Sequence, residues 1–230
     1  MKKIHRFLVA TIPTDTTFDI RDTRVTHQIS HVLRLRPEEE CILFTNNGPD
    51  TLVKILTIEK HTVTVSFIEN RSSLNSATRT VIAAVSIVKG DKFELIVQKL
   101  TELGVSAIIP VISDRTIKQS LRLDRLQTIA DEALEQCGGN RRVSIHEPLT
   151  LSACVEQHNI PSYVLIPNAD DTPPTEKLPD TLMLYVGPEG GWTDAEEIFF
   201  IEKNISGISL GTRILRTETA AIVGVFKLLQ

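Results

Sequence analysis

Leu182-Met183-Leu184-Tyr185-Val186 runs without a break into Gly187-Pro188-Glu189-Gly190-Gly191, and Thr193-x-x-Glu196 follows at once. The apolar run reads as a strand covered on both faces, the glycine cluster as a loop, and the Thr-x-x-Glu spacing as a helix cap. Further on the grammar recurs. Ile205–Leu210 reads as another strand, and Gly211-Thr212-Arg213-Ile214-Leu215-Arg216 leads into a last helix opened by Thr217. Two glycine-bearing loops at the ends of neighbouring parallel strands are where an open α/β sheet holds its ligand. The second loop also brings Arg213, Arg216 and Glu218 to that place.

The same alternation extends back to Thr80. Thr80–Val88 is a nearly continuous apolar run, and Asp91-x-x-Glu94 has the spacing of a capping box. Phe93, Ile96, Val97 and Leu100 form the stripe of a helix that Gly104 stops. Ser106–Ile112 is the next strand. A longer helix follows, with Leu126, Ile129, Ala130, Ala133, Leu134 and Cys137 on one face and Gly138-Gly139 at its end. Tyr163–Ile166 is a further strand. Strand–helix alternation predicts an α/β fold, a parallel sheet with helices on both faces. The last helix (Ala220, Ala221, Ile222, Val223, Val225, Phe226, Leu228, Leu229) is apolar nearly all round. Such a helix is covered on several sides by its own domain or by a partner subunit, and we favour the partner.

The first 70 or so residues read differently. His5–Ala10, Cys41–Thr45, Leu52–Glu59 and Thr62–Ile68 are short, β-branched or aromatic runs, and Asn46-Asn47-Gly48-Pro49-Asp50 is a turn signal. Val25, Ile29, Val32 and Leu33 recur at helical spacing before Pro37. Several short strands with one helix predict a small barrel, and Asn70–Ser76 a polar linker.

Composition bounds the possibilities. The 230 residues are 41% hydrophobic and 23% charged, and no apolar run is long enough to span a membrane. Cys41, Cys137 and Cys154 are scattered with no CxxC pair, so neither a disulfide framework nor a metal site is expected. The basic start, Met1-Lys2-Lys3-Ile4-His5-Arg6, has no long apolar region after it, so no signal peptide is expected; the scattered cysteines point to a reducing cytoplasm. The net charge is −4, but Met1–Asn75 holds 10 basic and 9 acidic residues against 15 and 20 in the remainder. The N-terminal bases, Lys2, Lys3, Arg6, Arg21, Arg24, Arg34 and Arg36 among them, are either solvated surface or a weak patch for an RNA backbone.

No GxxxxGK[ST] loop is present, and no GxGxxG follows the first strand of the α/β segment. Dehydrogenases, phosphate-driven NTPases and ordinary Rossmann-like methyltransferases are therefore disfavoured. His5-Arg6-Phe7, His31-Val32-Leu33-Arg34, Lys89-Gly90-Asp91-Lys92-Phe93-Glu94, Gln98–Gly104, Glu135-Gln136-Cys137-Gly138, Gly187–Gly191 and Leu210–Ala220 occur in that order along the chain. In these the chain resembles the RsmE family of 16S ribosomal RNA uridine-N3 methyltransferases, of the SPOUT class.

The resemblance implies a PUA-like, RNA-binding β-barrel over residues 1–72 and a SPOUT methyltransferase domain with a C-terminal trefoil knot over 73–230. It implies S-adenosylmethionine as cofactor, 16S rRNA or the small ribosomal subunit as partner, and a homodimer through the C-terminal domain, without a membrane. Cofactor contacts are expected from Gly187, Pro188, Glu189, Gly190, Gly191, Leu210, Gly211, Ile214, Leu215 and Thr219. RNA contacts are expected from His5, Arg6, His31, Arg34, Arg141 and Arg142, and catalytic roles from Arg213, Arg216 and Glu218. Glu189 and Glu218 are the candidate bases, although Glu218 is equally placed to cap the last helix. The chain departs from the family pattern at Gly139, where an arginine is usual; Arg141 or Arg142 takes over that guanidinium, or that RNA contact is weaker here. The alternatives are an RNA-binding ribosome-assembly factor that does not catalyse, and a SPOUT enzyme acting on a tRNA ribose 2′-hydroxyl.

Overall fold

A computed structural model of the chain describes residues 4–72, 79–89, 91–116, 120–167, 169 and 178–229. Lys2, Lys3, Gly90 and most of the expected linker lie outside them. The chain divides into two compact units: residues 1–76 with 134–142, and residues 77–133 with 143–230.

In the larger unit, strands β6 (Thr80–Ser86), β7 (Ala107–Ile112), β10 (Ser162–Leu165), β11 (Thr181–Val186) and β12 (Ser206–Ile208) are parallel, in the order β12-β10-β11-β6-β7. Two short strands, β8 (Ser144–Ile145) and β9 (Leu149–Thr150), add to β7. Pro110 has no N–H to give a ladder, and it falls in the interval between the residues paired with β8 and those paired with β9.

The near-continuous apolar strands have the reason anticipated: each alternate residue serves a different core. Val81, Ala83 and Val85 of β6 and Leu182, Leu184 and Val186 of β11 face one cluster. There they meet Phe93, Ile96, Val97 and Leu100 of α2 (Asp91–Leu103), Leu126 and Ala130 of α3 (Leu123–Cys137), and Ala221, Val225 and Leu228 of α6 (Thr217–Leu229). Ala84, Met183 and Tyr185 face the other cluster, with Leu151 and Cys154 of α4 (Leu151–Gln157), Trp192, and Phe200 of α5 (Asp194–Glu202). Helices therefore cover both faces. β8, β9 and α4 are elements the periodicity did not signal, each being too short to show a period.

The capping boxes divide. Thr193 caps α5 as expected, its hydroxyl accepting from Glu196 N–H while the Glu196 carboxylate accepts from Thr193 N–H. Asp91 instead lies inside α2, and Glu94 is taken up by the Arg125 guanidinium, which holds its carboxyl below the usual range. In α6 the mid-helix Gly224 weakens helix propensity by ~1 kcal/mol relative to alanine. A Cβ there would lie 2.9 Å from a Leu165 methyl and 3.0 Å from a Leu184 methyl, so the glycine lets the helix lie close on the sheet. Only one side of α6 is buried this way: Val223 is 40% and Phe226 52% exposed.

The smaller unit holds a five-stranded sheet, β1 (His5–Leu8), β3 (Glu40–Phe44), β4 (Asp50–Ile58), β5 (Val63–Arg71) and β2 (Thr17–Ile20), in that spatial order. β1 pairs parallel with β3 and the other pairs are antiparallel. β1 and β2 stand at the two ends, so the strands form an open sheet among the described residues. β2 was not anticipated. The Asn46–Gly48 turn is present, with Gly48 N–H bonded to Thr45 O at 3.0 Å and Asn47 at φ 59°.

The expected helix begins as α1 (Thr23–His27), capped by the Asp22 carboxylate, and passes into a π-helical turn over Gln28–Val32. Val25 and Ile29 are buried, but the wider turn swings Val32 out of phase, leaving it 62% exposed. That corrects the simple helical stripe.

Residues 134–142 complete this unit. The buried Glu135 carboxylate accepts from Leu8 N–H at 2.8 Å and from Arg24 at 2.8 Å, and Arg24 also donates to Leu8 O at 2.6 Å. Removing the carboxylate strands a backbone donor and a guanidinium. Glu135→Ala should lower stability by about 2–3 kcal/mol, somewhat less than for a fully buried pair because Arg24 keeps some solvent, and Glu135→Gln by about half as much. Urea unfolding of the purified variants measures it.

Burial pushes the Cys41 thiol up to about 12. The native state thus keeps this proton to higher pH than the unfolded chain, where the thiol ionises near its ordinary value of 9.0. The contribution is complete below about pH 9 and is lost as pH rises towards about 12. Unfolding curves compared at about pH 8 and about pH 11 should show a smaller alkaline loss in Cys41→Ala than in the wild type.

Candidate functional site

Parallel strands β10, β11 and β12 end side by side at Leu165, Val186 and Ile208, and the loops leaving them enclose a cavity of about 290 Å³. This is the carboxyl edge of the sheet, where open α/β folds bind ligands. Those three residues with Ile166, Leu210 and Leu215 make the cavity largely apolar.

The first loop is fixed by three kinds of contact. Gly191 N–H closes a turn onto Pro188 O at 2.9 Å, with Gly191 at φ 69°, a conformation L side chains rarely adopt. Trp192 folds back under the loop: its indole N–H donates to Leu165 O at 3.1 Å. A Cβ on Gly187 would lie 3.1 Å from the indole ring, so the glycine is required by close approach. From the far side Arg115 donates to Gly190 O at 2.7 Å and Trp192 O at 3.0 Å.

The Glu189 carboxylate sits 3.1 Å from Lys92 Nζ. Burial raises its pKa, but its own backbone N–H, the Lys92 ammonium and the Lys89 N–H outweigh that and hold it below the usual range. The ion pair ties Glu189 to the start of α2.

The second loop turns at Gly211 (φ 114°), where the Ser209 hydroxyl accepts from Gly211 N–H at 3.2 Å. A Cβ added at Gly191 or Gly211 would meet no atom within 4 Å, and both residues line the cavity. The space beside them is therefore a cradle left open along bare backbone. Arg213 and Arg216 line its rim and are exposed.

A sequence profile of the RNA methyltransferase domain matches residues 75–228. The chain is 31% identical over 231 residues to ribosomal RNA small subunit methyltransferase E of Bacillus subtilis, covering 90% of this chain and 87% of that one. It belongs to the ribosomal RNA small subunit methyltransferase E family. A crystal structure of that enzyme from Neisseria gonorrhoeae, bound to S-adenosylmethionine, is 29% identical and superposes with a TM-score of 0.89 over 97% of this chain and 95% of the other. A Legionella pneumophila protein solved with the same cofactor is 26% identical, with a TM-score of 0.91 over 98% and 97%.

Most of the expected cofactor residues converge. Gly187, Pro188, Glu189, Gly191, Leu210, Gly211, Ile214 and Leu215 line the cavity. Gly190 and Thr219 do not: the Gly190 Cα faces the Arg115 side chain, and Thr219 is exposed in the first turn of α6. Glu218, expected to be catalytic, also lies off the cavity wall, and its Oε2 is buried without a hydrogen-bond partner. Trp192, Thr217 and the β10 end Leu165–Pro167 are lining residues that sequence reasoning missed. Trp192 carried a signal, as the only tryptophan and the residue directly after the loop.

Of the expected RNA contacts, His31 and Arg34 are exposed at the π turn, where His31 stacks on His27 with ring centroids 4.9 Å apart. His5 is half-buried, Arg141 half-buried and Arg142 exposed. Arg6 corrects the expectation. Its guanidinium is paired with Asp50 at 2.7 Å, donates to Gly139 O at 3.0 Å and lies over the Phe44 ring at 4.2 Å, with 10% of the side chain exposed. That is a structural arginine. Gly139 supplies the carbonyl, and a Cβ there would press to 2.8 Å on a Leu134 methyl, so the arginine usual in the family would need Leu134 to move.

Gly187→Val forces two methyls against the indole and should cost about 1–3 kcal/mol of stability. Because Trp192 is the sole tryptophan, a red-shifted emission maximum reads its displacement, and an unshifted spectrum would contradict the packing described.

Proposed function

We propose that this chain transfers the methyl group of S-adenosylmethionine to N3 of a uridine in 16S ribosomal RNA. The observation that carries the reading is the cavity itself: two glycine loops at adjacent parallel strand ends, apolar within and bearing two arginines at the rim, in a chain of this family. The residues fit the cofactor. Leu165, Ile166, Val186 and Ile208 suit an adenine ring, and backbone groups beside Gly191 and Gly211 can be approached closely because no side chain intervenes. Bound there, S-adenosylmethionine supplies an electrophilic methyl on a sulfonium.

The chain's own task is to align the uracil and favour loss of its N3 proton, since the protonated imide is a poor nucleophile. Orientation supplies a large share of the rate. Arg213 and Arg216 are the cations for the negative charge that develops on O2 and O4, or for the flanking phosphates. Glu189, tied to Lys92, positions the loop.

The rest of the reading is proposed on the same family grounds. The 1–72 segment, whose described strands form an open five-stranded sheet, serves as an RNA-binding domain of the PUA-like barrel type, with His5, His31 and Arg34 as contacts and Arg141 and Arg142 joining them from the 134–142 segment. The 73–230 segment is a SPOUT domain with a C-terminal knot; β11 inserted between β10 and β6, and α6 returning from edge strand β12 onto β6 and β11, support that topology. Exposed Val223 and Phe226 on α6 support a homodimer. Three unpaired cysteines agree with work in the cytoplasm. Among the described residues no helix is long and apolar enough to cross a membrane.

Nucleoside mass spectrometry of rRNA and tRNA from cells with and without the gene tests the reading. Loss of N3-methyluridine from 16S rRNA is expected; intact rRNA with a missing ribose methyl in tRNA would replace it with the 2′-hydroxyl alternative. With purified protein, Arg213→Ala and Arg216→Ala should each lower kcat/KM by about 10²-fold while calorimetric cofactor affinity holds. A wild-type protein that binds no S-adenosylmethionine would leave the non-catalytic assembly factor.

A further inference from the structure

The loop Ser113–Thr116, which follows β7, contributes nothing to the cavity wall, yet it braces the segment Gly190–Glu196 at four points. Arg115 Nη1 donates to Gly190 O at 2.7 Å and to Trp192 O at 3.0 Å. Asp114 N–H donates to Glu196 Oε1 at 2.9 Å, and the Thr193 hydroxyl donates to Asp114 Oδ2 at 3.3 Å.

The brace is itself anchored. Thr116 N–H closes on Ser113 O at 3.0 Å, Ser113 N–H on the Thr116 hydroxyl at 3.0 Å, and the buried Ser113 hydroxyl reaches Ser86 at the end of β6 at 3.2 Å. A Cβ on Gly190 would lie 3.2 Å from Arg115 Cδ and 3.5 Å from Arg115 Cβ. The second glycine of the loop is therefore explained by the arginine stem laid across it.

Peptide units are planar, so fixing a carbonyl fixes the whole plane. Arg115 fixes the planes 190–191 and 192–193, and between them stand Gly191 and Trp192, both lining the cavity. Both bonds leave one nitrogen, Nη1, whose two N–H groups the planar guanidinium holds in fixed directions; the shorter lysine stem ends in a rotating ammonium that does not hold them there. We infer that Arg115 is a positioning residue: it never touches the ligand, and it sets S-adenosylmethionine affinity by holding the Gly190–Trp192 backbone against the cavity. The inference rests on the reading of the cavity as the cofactor site.

Wild type, Arg115→Ala, Arg115→Lys, Gly190→Ala and the double variant Arg115→Ala/Gly190→Ala would be titrated with S-adenosylmethionine, following Trp192 emission and heat. Steady-state methyl transfer to small ribosomal subunits would be measured in parallel. Arg115→Ala should raise Kd and KM for the cofactor about 10–100-fold, with kcat at saturating cofactor and KM for the subunit within about twofold of wild type. Arg115→Lys should recover only part of the loss. Gly190→Ala should weaken binding in the wild-type background and add nothing beside Arg115→Ala, since the two changes meet at one contact.

Wild-type cofactor affinity in folded Arg115→Ala overturns the inference, and so does a kcat loss as large as the KM change. Should Arg115→Ala fail to fold, Gly190→Ala and Arg115→Lys carry the same test, and unchanged affinity in both overturns it. The wild-type titration alone decides whether the cavity is the cofactor site, so a failure of that reading is seen separately from a failure of this one.

Discussion

One hydrogen bond organises the ligand cavity: the Trp192 indole N–H to the carbonyl of Leu165 at the end of β10. It joins a residue just beyond β11 to the last residue of the neighbouring strand, and so closes the floor between two strand ends. The other features follow from accommodating that indole. The bare Gly187 lets the ring lie close against the loop, where a Cβ would press on it at 3.1 Å. The chain must turn sharply to bring Trp192 back, hence the Pro188–Gly191 turn and the left-handed backbone of Gly191. Phe200 packs edge-on against the ring at 5.0 Å, tying α5 to the same point.

This explains why so much of the larger unit was legible in the sequence. A strand buried on both faces has no polar alternation to mislead, and Leu182–Val186 is long enough to be seen. Thr193-x-x-Glu196 places the α5 cap because that cap depends only on residues close in sequence. The glycine loops announced themselves for the same local reason. Glu94, by contrast, was misread as a capping partner because its actual partner, Arg125, is 31 residues away. The support from Arg115 was invisible for a similar reason, since an arginine after a strand looks like any solvated charge until its carbonyl partners, 75 and 77 residues on, are known.

In the smaller unit, residue type was legible and role was not. Arg6 reads as an exposed base near an RNA-binding surface, yet it is spent on Asp50, Phe44 and the Gly139 carbonyl. Glu135-Gln136-Cys137-Gly138 reads as the end of a helix in the methyltransferase segment, whereas Glu135 belongs to the smaller unit, where it holds Leu8 and Arg24. The π turn at Gln28–Val32 shows the limit of periodicity: one widened turn shifts every later residue on the helix face, and Val32 emerges into solvent. No composition rule marks where such a turn will fall.

Gly224 has a bearing beyond its own packing. It lies one turn beyond Ala220, roughly 6 Å along the α6 axis, and Ala220 and Thr217 both belong to the cavity wall. A side chain at 224 would meet the methyls of Leu165 and Leu184 and lever the helix off the sheet. Because a helix moves as a stiff rod over one or two turns, the displacement would be delivered to the wall rather than absorbed on the way. The helix that carries two wall residues is thus seated on the sheet by a residue that never reaches the cavity.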